Sequence, residues 1–208
     1  MSIGAAIGFT KRPSYDSRER LVGVISCGGR SVPTGSGVPV RFRRFDEGDS
    51  VYELTRLLHR AYSDHAVAGR VFFASYQSAK DTAIRSGRGE CWLALRGTAL
   101  AGTVTLAVPY QAPKGYPAPA GAGSFWQLAV DPAHRRTGLG QRLLTLAEDR
   151  ITALGATAAV IDTSAEAAEL LGWYRRRGYR PVGKWRWDVT NYESVVLHKD
   201  LAGAERMR

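Results

Sequence analysis

Residues Phe125–Leu144 read FWQLAVDPAHRRTGLGQRLL, and the chemistry legible in them is that of holding an anion. Arg135, Gly138 and Gly140 fall where an apolar, strand-like run gives way through Pro132 to an amphipathic helix. The first amides of a helix have no internal acceptor, and the helix dipole adds partial positive charge there. Glycine at 138 and 140 removes side chains that would keep phosphate oxygens away from the amides of residues 136 to 141. Arg135 and Arg136 add charge. Spacing excludes two common phosphate loops. The lysine and hydroxyl of a nucleoside triphosphate loop are missing, and Leu143 stands where a dinucleotide fingerprint needs its third glycine.

A loop of this kind works only if a strand and a helix present it. The strand is expected over Ser124–Val130, and the helix from Leu139, with Leu143, Leu146, Ala147, Ile151 and Leu154 at helical spacing until Gly155. Upstream, VPVRFRRF suggests a strand. Asp49 or Ser50 then caps a helix through Leu54, Leu57, Leu58 and Ala61, and a second helix is expected over Gln77–Arg85. Glu90–Leu95 and Leu100–Val108 read as a hairpin turning at Gly97, followed by an exposed loop rich in Pro, Gly and Ala. TAAVID reads as a buried strand, and Thr163 with Glu166 as the capping box of a helix carrying Leu170, Leu171 and Tyr174 and ending at Gly178. YRPVGKWRW and ESVVLH close the order as an antiparallel pair. Hairpins at both ends exclude an all-parallel sheet and imply an α/β fold with mixed pairing.

The chain has 208 residues, 44% of them hydrophobic, and a formal net charge of +10. One domain over residues 39–201 is expected, with a poorly ordered extension over 1–38 and a short tail over 202–208. Cys27 and Cys91 indicate neither a disulfide framework nor a zinc site, and His59, His65, His134 and His198 are too scattered for metal ligands. No apolar stretch is long enough to span a membrane, so a cytoplasmic protein is expected. The basic surface favours anionic partners, among them nucleic acid or a phosphorylated cofactor.

The arrangement Arg135-x-x-Gly138-x-Gly140 resembles the pyrophosphate motif of the Gcn5-related N-acetyltransferase (GNAT) superfamily, Gln/Arg-x-x-Gly-x-Gly/Ala. LLGWYRRRGYRPVG resembles its second signature, a tyrosine four residues before Gly-Phe/Tyr, and the likeness covers about Val40 to Leu201. The resemblance implies a mostly antiparallel central sheet, flanked by helices, whose central strands splay apart. It implies acetyl-CoA as donor, bound by Leu128, Ala129, Val130, Arg135, Arg136, Thr137, Gly138, Leu139, Gly140 and Gln141. The backbone of Leu128 and Val130 would pair with the pantetheine arm, and the amides of Arg136 to Gln141 would hold the diphosphate.

The resemblance also puts Tyr174 at the general-acid position. A tyrosine with a pKa near about 10 stays neutral at pH 7 and can protonate a departing thiolate, while an alkylamine with a pKa of about 10.4 must first lose a proton. Glu193, Asp162, His65 or a water held by Gln127 are the candidate bases. Two positions depart from the pattern. Gln127 stands where some relatives carry a glutamate base, and Ala167 replaces a frequent asparagine seven residues before the tyrosine.

Tyr62, His65, Phe72, Phe73 and Tyr76 lie where the family shapes its acceptor pocket, part of them as core. Arg175, Arg176 and Arg177 read as a solvated helix end ahead of a grip on an adenosine 3′-phosphate or nucleic acid, and Trp126, Trp185 and Trp187 as apolar strand faces ahead of a base-stacking platform. The expected activity is direct acetyl transfer to the amine of a small molecule or peptide, with homodimerisation an analogy from related folds. A basic nucleic-acid-binding module, or a catalytically silent acyl-CoA sensor, are the alternatives.

Overall fold

The computed structural model describes residues 39–201; the extension and tail expected at 1–38 and 202–208 lie outside the described residues. The elements are β1 (Val40–Arg44), α1 (Val51–Val67), α2 (Ala79–Ser86), β2 (Glu90–Arg96), β3 (Ala99–Ala107), β4 (Gly123–Val130), α3 (Leu139–Ala153), β5 (Ala158–Ser164), α4 (Ala168–Arg175), β6 (Arg180–Arg186) and β7 (Glu193–Asp200). Single 3-10 turns occupy Phe73–Ser75 and Pro132–His134. This is the order expected from the sequence.

The strands form one seven-stranded sheet, ordered β1-β2-β3-β4-β5-β7-β6, in which only β4 and β5 run parallel. Those two pair only at Gly123 with Ala159 and Ser124 with Val160. Beyond that point β4 and β5 diverge, which opens a gap in the middle of the sheet.

A bulge in β4 decides what faces that gap. Between Thr103 and Thr105 the register on β4 moves from Ala129 to Trp126, so two steps on β3 face three on β4. Gln127 sits at the bulge with φ of 53°, a left-handed conformation uncommon for a residue with a side chain. In a regular strand Phe125 and Ala129 would share a face. Here Phe125 joins the core under α3, and Ala129 joins Leu54, Leu57, Leu58, Cys91 and Leu93 under α1.

Helix α1 starts at Ser50, whose hydroxyl accepts from Glu53 N at 3.3 Å; Asp49, the other candidate cap, is bidentate to Arg43 instead. Helix α2 starts on a capping box of Ser78 and Asp81 that the sequence reading did not single out. Helix α3 buries Leu139, Leu143, Leu144, Ala147 and Ile151, while Leu154 is 43% exposed just past the helix end. Gly155, at φ of 93°, ends the segment as expected.

Two expectations are corrected. The capping box of Thr163 and Glu166 does not form, because β5 continues through Ser164 and α4 begins after Ala167, with no side-chain cap. Thr163 Oγ1 is instead buried without a partner among the described residues, and Ser164 Oγ accepts from Glu166 N at 3.2 Å. The Pro/Gly/Ala loop is also not simply exposed. Tyr116 within it is 7% exposed and packs against Trp185 and Trp187, in a small core with Val160 and Val196.

Candidate active site

The gap between β4 and β5 continues into a cleft of about 1440 Å³ that runs from the start of α3, past α4, to the surface between α1, α2 and the β6–β7 turn. At one end lies the glycine loop. Gly138 has φ of 79° and precedes α3 without a side-chain cap, and Arg136 has φ of 61°. The first amide of this region to find a backbone acceptor is that of Arg142, which donates to Gly138 O at 3.1 Å. Among the described residues the amides of 136 to 141 have no acceptor, so a row of donors faces outward at the positive end of a helix dipole.

The loop is tied down by α1. Arg60 donates to Asp131 Oδ2 through Nε at 2.9 Å and Nη2 at 2.7 Å, and Asp131 Oδ1 accepts from Ala133 N. Arg135 reaches the other way, to the Asp64 carboxylate and to Ala61 O at 2.8 Å. Its side chain therefore braces the loop against α1 and is not turned to an anion over the amides.

The other expected coenzyme residues divide by what they offer. Leu128 and Val130 present backbone on the β4 edge facing the gap, since Asp131 N, of opposite parity to Val130, bonds to Ala101 O on β3. The Leu128 carbonyl already accepts from Tyr62 Oη at 3.1 Å, leaving its second lone pair. The side chains of Ala129 and Leu139 are core, so these residues can contribute backbone alone. Gly140 lies between Val130 and Trp173. Thr137 turns its hydroxyl back to His134 O at 2.8 Å and is the one expected coenzyme residue outside the cleft lining.

The arginine run after Tyr174 splits. Arg175 and Arg176 are exposed, whereas Arg177 lines the cleft, its guanidinium 3.8 Å from the Trp173 ring centroid and bonded to Gln141. The row of free amides is thus flanked by a cation whose position helix α4 fixes.

Tyr174 lies at the waist of the cleft, where the strands part. It is 6% exposed and packed edge-on against Trp173 and Tyr179, and its hydroxyl has no partner among the described residues. Burial, reinforced by the neighbouring Tyr62 and Asp162, pushes its pKa well above the ordinary value. Tyr174 is therefore protonated throughout the neutral range and able to donate. Gln127 faces the same waist: Oε1 accepts from Thr105 Oγ1 at 3.1 Å, and Nε2 is buried with no acceptor among the described residues.

The candidate bases separate by position. Glu193 does not line the cleft; it pairs with Lys184 at 2.7 Å on the outer hairpin. Asp162 does line it, accepting from Trp187 Nε1 at 2.9 Å and Tyr116 Oη at 3.2 Å. His65 packs at a tilt against Phe72 with ring centroids 4.6 Å apart, and burial, helped by Arg70, pulls its pKa below the ordinary value.

Of the expected acceptor residues, Tyr62, His65, Phe72 and Phe73 line the cleft, while Tyr76 is exposed and donates to Val189 O at 2.7 Å. That bond helps fasten the β6–β7 turn over the acceptor end, as does Asn191, which accepts from Val71 N and donates to Gly69 O, both at 2.8 Å. The turn brings Trp187, Thr190 and Tyr192 into the lining, and α2 brings Arg85. Sequence periodicity carries no signal for such residues, because they meet only through tertiary contacts between distant loops. Among the described residues, no group of three His, Cys, Asp or Glu side chains is arranged to hold a metal ion, and no helix is long and apolar enough to cross a membrane.

Residues 50–179 match the family described as "Acetyltransferase (GNAT) family". The S-(2-succino)cysteine N-acetyltransferase of Bacillus subtilis (strain 168) is 28% identical over 167 residues, spanning 77% of this chain and 98% of its own. The fold is similar to that of the ribosomal-protein-S18-alanine N-acetyltransferase of Escherichia coli, with a TM-score of 0.60 at 16% identity over 82% of this chain and all of that one. It is also similar to a GNAT acetyltransferase of Elizabethkingia anophelis with acetyl-CoA bound, with a TM-score of 0.52 at 16% identity over 77% and 97% of the two chains. The seven-stranded, mostly antiparallel sheet flanked by helices agrees with this match over most of the sequence, and the chain belongs to the acetyltransferase (GNAT) family.

Proposed function

We propose that the protein transfers an acetyl group from acetyl-CoA directly to the primary amine of a small molecule or peptide. The observation that carries this reading is the row of unbonded amides at 136 to 141, set at the head of α3 and opening onto a waist that holds a neutral tyrosine. These features fit the coenzyme: a diphosphate matches the amides and Arg177, and the free edge of β4 suits an amide-bearing arm. Bound there, acetyl-CoA supplies an activated acyl thioester.

The chain's own residues then manage protons and position. Asp162 has acceptor capacity beyond its bonds to Trp187 and Tyr116, and takes the ammonium of the acceptor and one of its protons. The amine nitrogen bonds to the acyl carbon as the carbon–sulfur bond breaks. Tyr174 gives its proton to the sulfur and recovers one from solvent, which takes the second proton of the nitrogen; of the two protons the ammonium loses, one is matched by the new thiol and the other, passed on by Asp162, is released. Gln127 Nε2, an unmet donor at the waist, suits the acyl oxygen or a water beside it. Cys91 is buried and its thiol pKa is pushed up by that burial, which makes it unsuited to carry an acyl group.

The N-acetyltransferase relative from Bacillus subtilis supports an amine as the nucleophile. The test is free-thiol release from acetyl-CoA across a panel of amines, S-(2-succino)cysteine included, with the product identified by mass. Acetylated amine appearing in step with free thiol is expected. Tight coenzyme binding without turnover on any amine would show a sensor and not an enzyme.

A further inference from the structure

The acceptor end of the cleft gathers three arginines. Arg70, Arg85 and Arg88 line it, and no carboxylate among the described residues pairs with any of them. Arg70 and Arg85 are half-buried and Arg88 is exposed. Arg85 Nη1 donates to Gln77 Oε1 at 3.1 Å, and its guanidinium stands 5.1 Å from the Phe73 ring centroid. Gln77 is itself fixed, fully buried with Nε2 donating to Thr82 Oγ1 at 2.6 Å. Arg70 keeps its Nε buried with no acceptor among the described residues, and its Nη2 lies 3.5 Å from His65 Nδ1.

The acidic groups nearby act on these arginines only through space, since each is bonded to other partners. Asp81 accepts from Ser78 N at 2.9 Å and Ser78 Oγ at 2.6 Å in the box that starts α2, and Asp64 pairs with Arg135. Asp162 faces the lobe from β5, where Trp187 and Tyr116 hold it. A guanidinium in a low-dielectric setting is costly without an anion, and its planar fork matches a carboxylate. The lobe therefore has a cationic wall on the α1–α2 side and one anionic group on β5, with Phe72, Phe73 and Tyr192 between them.

We propose that the acceptor is a carboxylate-bearing amine, its carboxylate held by Arg85 and its nitrogen turned toward Asp162, with Arg70 facing a second anionic group where the acceptor has one. The assignment of the nitrogen as nucleophile rests on the acetyltransferase reading; the anion site rests on the arginines alone. A polycationic amine would meet like charge here, and a neutral amine would leave Arg85 unpaired.

Isothermal titration of the full chain loaded with coenzyme A reads acceptor binding without turnover. The probes are the proteinogenic amino acids and S-carboxymethylcysteine, each beside its α-carboxamide. At least one acid is expected to bind, about 10²-fold tighter than its carboxamide. Arg85→Gln should abolish that preference, Arg85→Lys should restore part of it, and coenzyme affinity, which reports an intact fold, should stay constant in both. Arg70→Gln is the second variant and should weaken the dicarboxylic probes selectively. Equal binding of acid and carboxamide, binding of no acid, or an undiminished preference in Arg85→Gln with normal coenzyme affinity would each overturn the proposal. The same titrations without coenzyme separate the two readings, since acid-selective binding by a chain that does not bind coenzyme upholds the anion site and sinks the acetyltransferase.

Discussion

Gly138→Ala and Gly140→Ala differ by two positions, yet the loop geometry predicts opposite results. At 138 the backbone holds φ of 79°, and an added Cβ would meet nothing within 4 Å, so the whole effect is conformational. Holding an L side chain in the left-handed region costs about 1–2 kcal/mol. If the variant keeps the loop, that cost appears as lost stability, a fall in Tm of about 2–8 °C for a chain of this size. If the loop relaxes, the same amount must be returned when the amides are re-formed around the coenzyme, which weakens binding by about 5- to 30-fold. At 140, inside α3, the new Cβ would stand 3.7 Å from Val130 Cγ2 and 3.9 Å from Trp173 Cζ2, ordinary contacts. Alanine is the better helix former there by about 0.5–1 kcal/mol, so Tm should hold or rise by about 1–4 °C. Thermal unfolding followed by titration with coenzyme A, on both variants and the parent, reads both quantities. A Gly138→Ala protein with unchanged Tm and unchanged affinity, or one that outlasts Gly140→Ala, would refute the claim that this loop needs its left-handed residue.

Tyr174→Phe should lower turnover by about 10²-fold while coenzyme affinity stays within a few-fold, read by thiol release and calorimetry. Ser78→Ala removes the cap that accepts from Asp81 N at 3.1 Å; a loss of about 1 kcal/mol in denaturant unfolding is expected, with weaker acceptor binding because α2 carries Arg85. Glu90 accepts from Arg150 Nε and Nη2, both at 3.0 Å; burial raises its pKa, but the bonds from Arg150 and Trp92 outweigh this and hold it below the ordinary 4.5. Because the folded pKa is the lower one, the stabilisation is complete above about pH 4.5 and fades as pH falls through the folded value. Screened by solvent at Arg150, it amounts to about 1 kcal/mol, and Glu90→Gln should lose that amount at neutral pH and show no such fading in acid.

What the sequence makes legible is what local period and spacing encode. The apolar stripe of α3, the strand before it and the glycines between them are set by nearest neighbours, and they lie where periodicity predicts. Thr163 misleads because the pull of a strand already paired with β7 through Ser164 outweighs a local cap. Leu154 fits the helical period, but the stripe ends one turn earlier, at Ile151. The role of Arg135 is hidden for a different reason: a cation beside a glycine loop reads as an anion ligand until α1, more than sixty residues earlier, is seen to supply Asp64 and Ala61 O. The arginines of the acceptor lobe and the β6–β7 turn over it leave no periodic trace, since the sheet order alone brings them together.

The proposed activity depends on the main-chain donors at the head of α3 receiving a diphosphate. Amide chemical shifts of the ¹⁵N-labelled chain, titrated in parallel with coenzyme A and with pantetheine, test this directly. Coenzyme A should shift residues 136 to 141 strongly, and pantetheine, which lacks the diphosphate, should move Leu128 and Val130 but leave the loop nearly untouched. Equal loop shifts from both ligands, or binding of coenzyme A with an unperturbed loop, would contradict it.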